Sequence, residues 1–279
     1  MEVKIAKQAG FCFGVKRAMK MAWDELEKNK DGIYALGPLI HNKQAVSKYE
    51  ANGLKTVENL EDVPLSNNMI IRSHGVSESV YNESKEKGIN IIDTTCPFVT
   101  KIHKIVKQYS DKGYQIIVIG DKNHPEVVGI NGWCQNKAII IKTIDEVDSI
   151  EFSEDKKYCV VAQTTINIDL YNDIFYKLSS KTKQIVLKNT ICSATKERQH
   201  SAKDLSKEVE CMIVIGGKHS SNTQKLVDIC KSEVPTFAIE TKEELEISLL
   251  SKFKTVGVTA GASTPDWIIE DVVNFLKAI

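Results

Sequence analysis

Apolar and polar positions along the chain follow two periods. Short apolar runs alternate with stretches whose apolar residues recur every three or four positions, the marks of strands and amphipathic helices. The first helical stretch carries Val15, Ala18, Met19, Ala22, Trp23 and Leu26 on one stripe. A second carries Val99, Ile102, Ile105, Val106 and Tyr109, and a third, from Thr195 to Glu210, has a weaker stripe. After each comes an apolar strand that ends in a polar, glycine-containing loop: IYALGPLIHN, IIVIGDKNHPEV and CMIVIGGKHSSNT. A second strand and loop follow in each case: MIIRSHGV, YCVVAQTT and TVGVTAGAST. Strands alternating with helices predict α/β units built on parallel sheets.

The pattern comes three times. Just before each helical stretch stands a cysteine that follows a strand-like run, in VKIAKQAGFCFGV, INIIDTTCPFV and IVLKNTICSAT. The spacing predicts three small α/β domains, 1–95, 96–191 and 192–279, about a pseudo-threefold axis, carrying Cys12, Cys96 and Cys192 in turn. His41, His124 and the pair Ser220 and Ser221 fall at matching distances beyond their cysteines. His74, Thr164 and Ser263 fall in the second loops. Ligands of parallel α/β sheets bind at the carboxyl ends of the strands, so these loops point to one shared cavity.

Composition narrows the class. Lys+Arg and Asp+Glu both total 37, giving a formal net charge of zero. That excludes a general nucleic-acid binder and leaves any charge-based function local. A hydrophobic content of 42% with 27% charged residues is that of a soluble globular protein. No apolar run approaches the roughly 18 residues that span a membrane. The start, MEVKIAKQAG, has no apolar signal core, so the cytoplasm is the expected location. The seven cysteines are unevenly spaced and do not read as a disulfide framework. Cys159, Cys211 and Cys230 lie in apolar runs or on an apolar helical face and are read as core residues. Cys134 is read as structural.

Three thiols remain, one per repeat. If the repeats converge, Cys12, Cys96 and Cys192 could hold three corners of a cubane 4Fe–4S cluster and leave the fourth iron open to substrate. The absence of any C-x-x-C counts against a zinc ribbon or ferredoxin loop; a three-cysteine zinc site with a fourth ligand stays possible. Phe11 and Phe13 are expected to wrap Cys12 in a dry shell, and Gly10 and Gly14 to let the backbone come close. His41, His74, His124, Ser220, Ser221, Asn222 and Ser263 are uncharged or weakly basic donors. SSNT and STPDW open helices, whose free N–H groups favour phosphate. Together they read as an anion pocket. His103 and His200, in polar helical stretches, are expected at the surface.

One acid joins this set. Glu126 follows His124 across a proline and is the candidate proton donor, since a carboxyl in a dry pocket keeps its proton to higher pH. Thr164 and Thr165 offer hydroxyls to hold or relay that proton. A cofactor-free racemase would need two facing thiols, not three. A non-catalytic phosphometabolite sensor would need the donors but none of the thiols.

The ordered set GFCFGVKRA, IHN, SHGV, DTTCPFV, NHPEV, AQTT, NTICSAT, SSNT and GASTP resembles the 4-hydroxy-3-methylbut-2-enyl diphosphate reductase family. The resemblance runs from residue 3 to about residue 275, nearly the whole chain. It implies a three-domain trefoil of α/β units around an iron–sulfur cluster. Cys12, Cys96 and Cys192 would ligate a 4Fe–4S cluster with one open iron. His41, His74, Ser220, Ser221, Asn222 and Ser263 would hold the diphosphate. His124 would help hold the substrate, and Glu126 with Thr164 would serve the proton pathway. The implied reaction is a two-electron reductive dehydroxylation that yields isopentenyl and dimethylallyl diphosphate, the last step of the methylerythritol phosphate route. The loops GDKNHPE and GGKHSSN lack G-x-G-x-x-G, so a ferredoxin- or flavodoxin-type donor is expected, with no nucleic-acid or membrane partner.

Overall fold

The computed structural model describes residues 1–29 and 33–279. Strand β1 (Glu2–Ile5) leads to helix α1 (Phe13–Lys28). There follow β2 (Ile33–Leu36), α2 (Lys43–Glu50), β3 (Leu54–Val57), β4 (Asn68–Ile71), α3 (Glu78–Glu86) and β5 (Asn90–Asp93). The next stretch is α4 (Pro97–Asp111), β6 (Gln115–Ile119), α5 (Pro125–Gly132), β7 (Ile139–Ile141), β8 (Tyr158–Ala162), α6 (Ile168–Lys181) and β9 (Ile185–Leu187). The last is α7 (Ser193–Ser206), β10 (Cys211–Ile215), α8 (Ser221–Lys231), β11 (Thr236–Ile239), α9 (Ile247–Leu250), β12 (Thr255–Ala260) and α10 (Asp266–Ala278). Among the described residues no helix is long and apolar enough to cross a membrane.

Among the described residues the strands form three four-stranded sheets, all parallel, in the orders β3-β2-β4-β5, β7-β6-β8-β9 and β11-β10-β12-β1. The fold is α/β, and the three orders are one order repeated. Inner strands β8 and β10 are buried throughout, and β6 is buried from Ile116 on, which is why IIVI, YCVVA and CMIVI read as unbroken apolar runs. The strand that leads into each cysteine is an edge strand, and β1 and β5 share one half-exposed burial pattern. β5 and β9 close the sheets of the strands just before them, whereas β1 pairs with β12. Residues 2–5 therefore belong to the sheet of the last third of the chain.

The chain divides into two compact units. One comprises Met1–Lys16, Ile40–Tyr49 and Ser193–Ile279 and contains the third sheet. Its core lies on both sheet faces, with Ile268, Ile269, Val272, Val273 and Leu276 of α10 on one side and Leu226, Val227 and Cys230 of α8 on the other. The other unit, Arg17–Leu39 and Glu50–Cys192, contains the first and second sheets. In α1 the buried positions Ala18, Met19, Ala22 and Leu26 fall on the expected stripe, as do Val99, Ile102 and Val106 in α4. The weak stripe of α7 has a physical cause: its buried face includes Thr195, Arg198 and Gln199, polar residues that periodicity does not register.

Candidate functional site

Cys12 stands immediately before α1, Cys96 before α4 and Cys192 before α7. Each cysteine amide is tied to the loop beyond the neighbouring strand. Cys12 N donates to Ala262 O (3.3 Å), Cys96 N to Ser73 O (3.0 Å) and Cys192 N to Thr164 O (3.3 Å). Those loops follow β12, β4 and β8, which hold the same place in the three sheets. One construction is thus built three times: an edge strand, a turn pinned to the next strand's loop, and a thiol at the positive end of a helix. The three thiols are half-buried, whereas Cys134, Cys159, Cys211 and Cys230 are buried; none is in a disulfide. Burial pushes the Cys159 and Cys211 thiols up to about 11 and Cys230 up to about 12, as fits inert core thiols. Cys134 Sγ is taken up by Asn131 O at 3.2 Å.

The expected aromatic wrapping of Cys12 is not present. Phe13 is 65% exposed and Phe11 is half-buried. Gly10 is required for another reason. Its φ is +82°, and a Cβ there would meet Ile269 Cδ1 at 2.8 Å, so the bare backbone packs on α10.

In the two-sheet unit, His124 caps α5, its Nδ1 accepting from Glu126 N at 3.2 Å. Pro125 at the first helical position stiffens this turn. The cap turns Glu126 inward, where it is 2% exposed. Its carboxyl meets the loop after β8 twice: Thr164 N donates to Oε1 and Thr164 Oγ1 to Oε2, both at 2.6 Å. Burial raises the Glu126 pKa from 4.5 to about 7, against the lowering effect of the two Thr164 bonds. The carboxyl therefore exchanges a proton near neutrality, and Thr164 can donate to it or accept from it. The Thr165 hydroxyl accepts from Gln163 Nε2 at 3.0 Å. His74, in the loop after β4, meets His124 edge-to-face with ring centroids 5.4 Å apart.

In the one-sheet unit, Ser220 caps α8 by accepting from Thr223 N at 3.4 Å. Asn222 follows in the first turn, 5% exposed, and neither end of its amide has a hydrogen-bond partner among the described residues. A buried amide left open at both ends is a ready donor and acceptor for a ligand. Ser263 Oγ donates to His41 O at 3.3 Å. A side chain at Gly217 would strike that same carbonyl, so glycine lets the His41 loop lie against the strand end. Asn42 caps α2, its Oδ1 accepting from Ala45 N at 2.9 Å. Ser221 is half-buried.

Of the two histidines expected at the surface, one is there and one is not. His200 and His219 are exposed, but His103 is buried, 3% exposed, with its ring stacked on Trp133 at 5.1 Å. The signal was available: His103 lies one turn from Val99 and Val106, on the apolar stripe of α4.

The LytB protein family model matches residues 3–277. The chain is 68% identical to a protein of Clostridioides difficile (strain 630) named 4-hydroxy-3-methylbut-2-enyl diphosphate reductase, over 99% of both chains. It is 52% identical to a protein of the same name from Alkaliphilus oremlandii (strain OhILAs), over 98% of both. Among solved structures, the E-1-hydroxy-2-methyl-but-2-enyl-4-diphosphate reductase of Plasmodium falciparum superposes with a TM-score of 0.96 at 33% identity. That match covers 99% of this chain and 88% of the other.

Proposed function

Because this chain belongs to the LytB protein family, we propose that it reduces 4-hydroxy-3-methylbut-2-enyl diphosphate to isopentenyl and dimethylallyl diphosphate. It is an enzyme, an oxidoreductase of the same kind as its relatives. The finer reading is that each of three repeats, 1–95, 96–191 and 192–279, supplies one cysteine to an iron–sulfur cluster, and that the enzyme works in the cytoplasm. The observation that carries it is the single local construction that presents Cys12, Cys96 and Cys192, half-buried, at three helix starts. The donor set fits such a group: soft thiolates, each at the positive end of a helix, none sealed in a core. When bound, a 4Fe–4S cluster with one open iron supplies single electrons and a Lewis acid for the leaving oxygen.

The chain's own residues do the rest. His41, His74, Ser220, Ser221, Asn222 and Ser263 hold the diphosphate through neutral or weakly basic donors, with His124 orienting the substrate beside Glu126. Glu126 is protonated in a good part of the population near neutral pH and gives its proton to the departing hydroxyl. Thr164 fixes the carboxyl and passes a proton back to it. The C–O bond breaks and two electrons enter. One proton leaves with the oxygen as water, and a second ends on carbon. The electrons come from a ferredoxin- or flavodoxin-type protein.

Anaerobic purification followed by a single-turnover assay with excess reductant tests this. A brown protein containing iron and sulfide, yielding both five-carbon diphosphates, is expected. A protein that takes up no iron and sulfide under assembly conditions would overturn the cluster reading; a loaded protein that forms neither product would overturn the reaction.

A further inference from the structure

Two aromatic residues hold the His74 loop from behind, and the reaction as described gives neither a task. His103 lies on the buried face of α4, its ring nearly parallel to that of Trp133, with 20° between planes. Its edge meets Gly75, where a Cβ would come within 2.6 Å of His103 Cε1 and 3.0 Å of Thr95 Cγ2. Gly75 has φ +70°, so the backbone there needs glycine both for its conformation and for the slot. Trp133, just past the end of α5, donates its indole N–H to Val76 O at 3.0 Å. α5 seats on the same loop through Gly132, where a side chain would strike Ser77. Residues 73–77 are thus gripped between α4, which starts just after Cys96, and α5, which carries Glu126.

An imidazole is a costly filler for an apolar slot. Burial lowers the His103 pKa to about 4, so the ring is neutral, and its Nε2 has no hydrogen-bond partner among the described residues. A leucine would fill similar volume without stranding a polar atom. Its branched end, however, cannot lie flat between an indole and a glycine peptide. We propose that His103 and Trp133 are positioning residues for His74: their stack sets the height of the Gly75–Val76 peptides and so aims the His74 ring at the diphosphate. This rests on the reading of His74 as a diphosphate donor. Glu126 is anchored separately by Thr164, so the stack governs substrate binding and leaves proton delivery alone.

His103→Ala and Trp133→Phe separate these functions, the second keeping a stacking ring while deleting the bond to Val76. Three readouts apply to the anaerobically purified protein: calorimetric binding of inorganic diphosphate, steady-state kinetics, and NMR of the His74 and His124 ring protons. His103→Ala is expected to weaken diphosphate binding and raise KM by about tenfold, with kcat within about twofold and iron content unchanged. Trp133→Phe is expected to move both in the same direction by less. The His74 ring resonances should shift in both variants. Loss of iron and kcat together with an unchanged KM would mark a merely structural role and overturn the proposal. So would parental affinity with unmoved His74 resonances; Trp133→Phe carries the test if His103→Ala does not fold. If the parent itself binds no diphosphate, the reading of His74 as a donor falls. The His74 shift then decides the positioning claim alone.

Discussion

The loop between β6 and α5 and the loop between β10 and α8 hold the same place in two copies of one sheet, yet their chemistries are opposed. Each leaves an inner strand and turns into a helix capped by a side chain, His124 in one and Ser220 in the other. Two residues past each cap stands a buried polar group: Glu126 in the first loop, Asn222 in the second. The difference lies in what each one faces. Glu126 is anchored on the amide and hydroxyl of Thr164, whereas neither end of the Asn222 amide has a hydrogen-bond partner among the described residues. The carboxyl is satisfied inside the protein and keeps a proton near neutrality. The amide is buried with both ends unsatisfied. On the proposed function, one scaffold position would serve proton transfer in one sheet and anion binding in another.

Breaking the first half of this comparison should have the largest effect. Glu126→Gln keeps shape and burial but removes the transferable proton. Turnover is expected to fall by about 10²-fold or more, with diphosphate affinity and iron content at parental levels, as quenched single-turnover assays can show. Near-parental product formation would remove Glu126 from the mechanism. The pH profile sharpens the point. Because the acid form is the active one, the parent's rate should fall as pH rises through about 7, and that limb should be missing in the variant.

The second half is broken at Asn222. Asn222→Ala loses neutral hydrogen bonds to a charged group and is expected to weaken inorganic diphosphate binding by roughly 10- to 150-fold. Asn222→Asp puts a carboxylate where the first loop already has one and should bind more weakly still through like-charge repulsion. Turnover at saturating substrate should change far less in the alanine variant than in Glu126→Gln. Equal loss in kcat would erase the contrast between the two loops.

Stability should show the smallest effect. The folded pKa of Glu126 lies above its ordinary 4.5, at about 7, so between those values the folded state binds more protons than the unfolded. Stability is complete below the ordinary value and is lost as pH rises towards 7. The loss is on the order of 3 kcal/mol at most. Urea titrations at pH 5 and pH 8 should show this decline in the parent and not in Glu126→Gln.

Much of the architecture was legible in the sequence. The inner strands announced themselves as unbroken apolar runs, and the helices after Cys12 and Cys96 as clear stripes, because burial on both faces of a parallel sheet leaves no room for polar residues. Within each unit, the residues expected near one another in Glu126, His124 and Thr164, and in His41 and Ser263, do lie together. Four features were missed. The pairing of β1 with β12 joins opposite ends of the chain, and no local pattern encodes a partner so distant. The polar buried face of α7 hid its own periodicity. Phe13 was expected to wrap Cys12 because it flanks that thiol, but at the first position of α1 it is exposed. His103 was misplaced because its charged neighbours outweighed its position on the stripe of α4.

The equivalence of the three repeats is tested most directly at the thiols. Cys12→Ser, Cys96→Ser and Cys192→Ser should be purified without oxygen beside Cys159→Ser, which alters a core thiol, and assayed for iron and acid-labile sulfide per chain. The first three are expected to lose most of both, each to the same extent, while Cys159→Ser keeps the parental content. A full complement of iron and sulfide in any one of the first three would contradict the account.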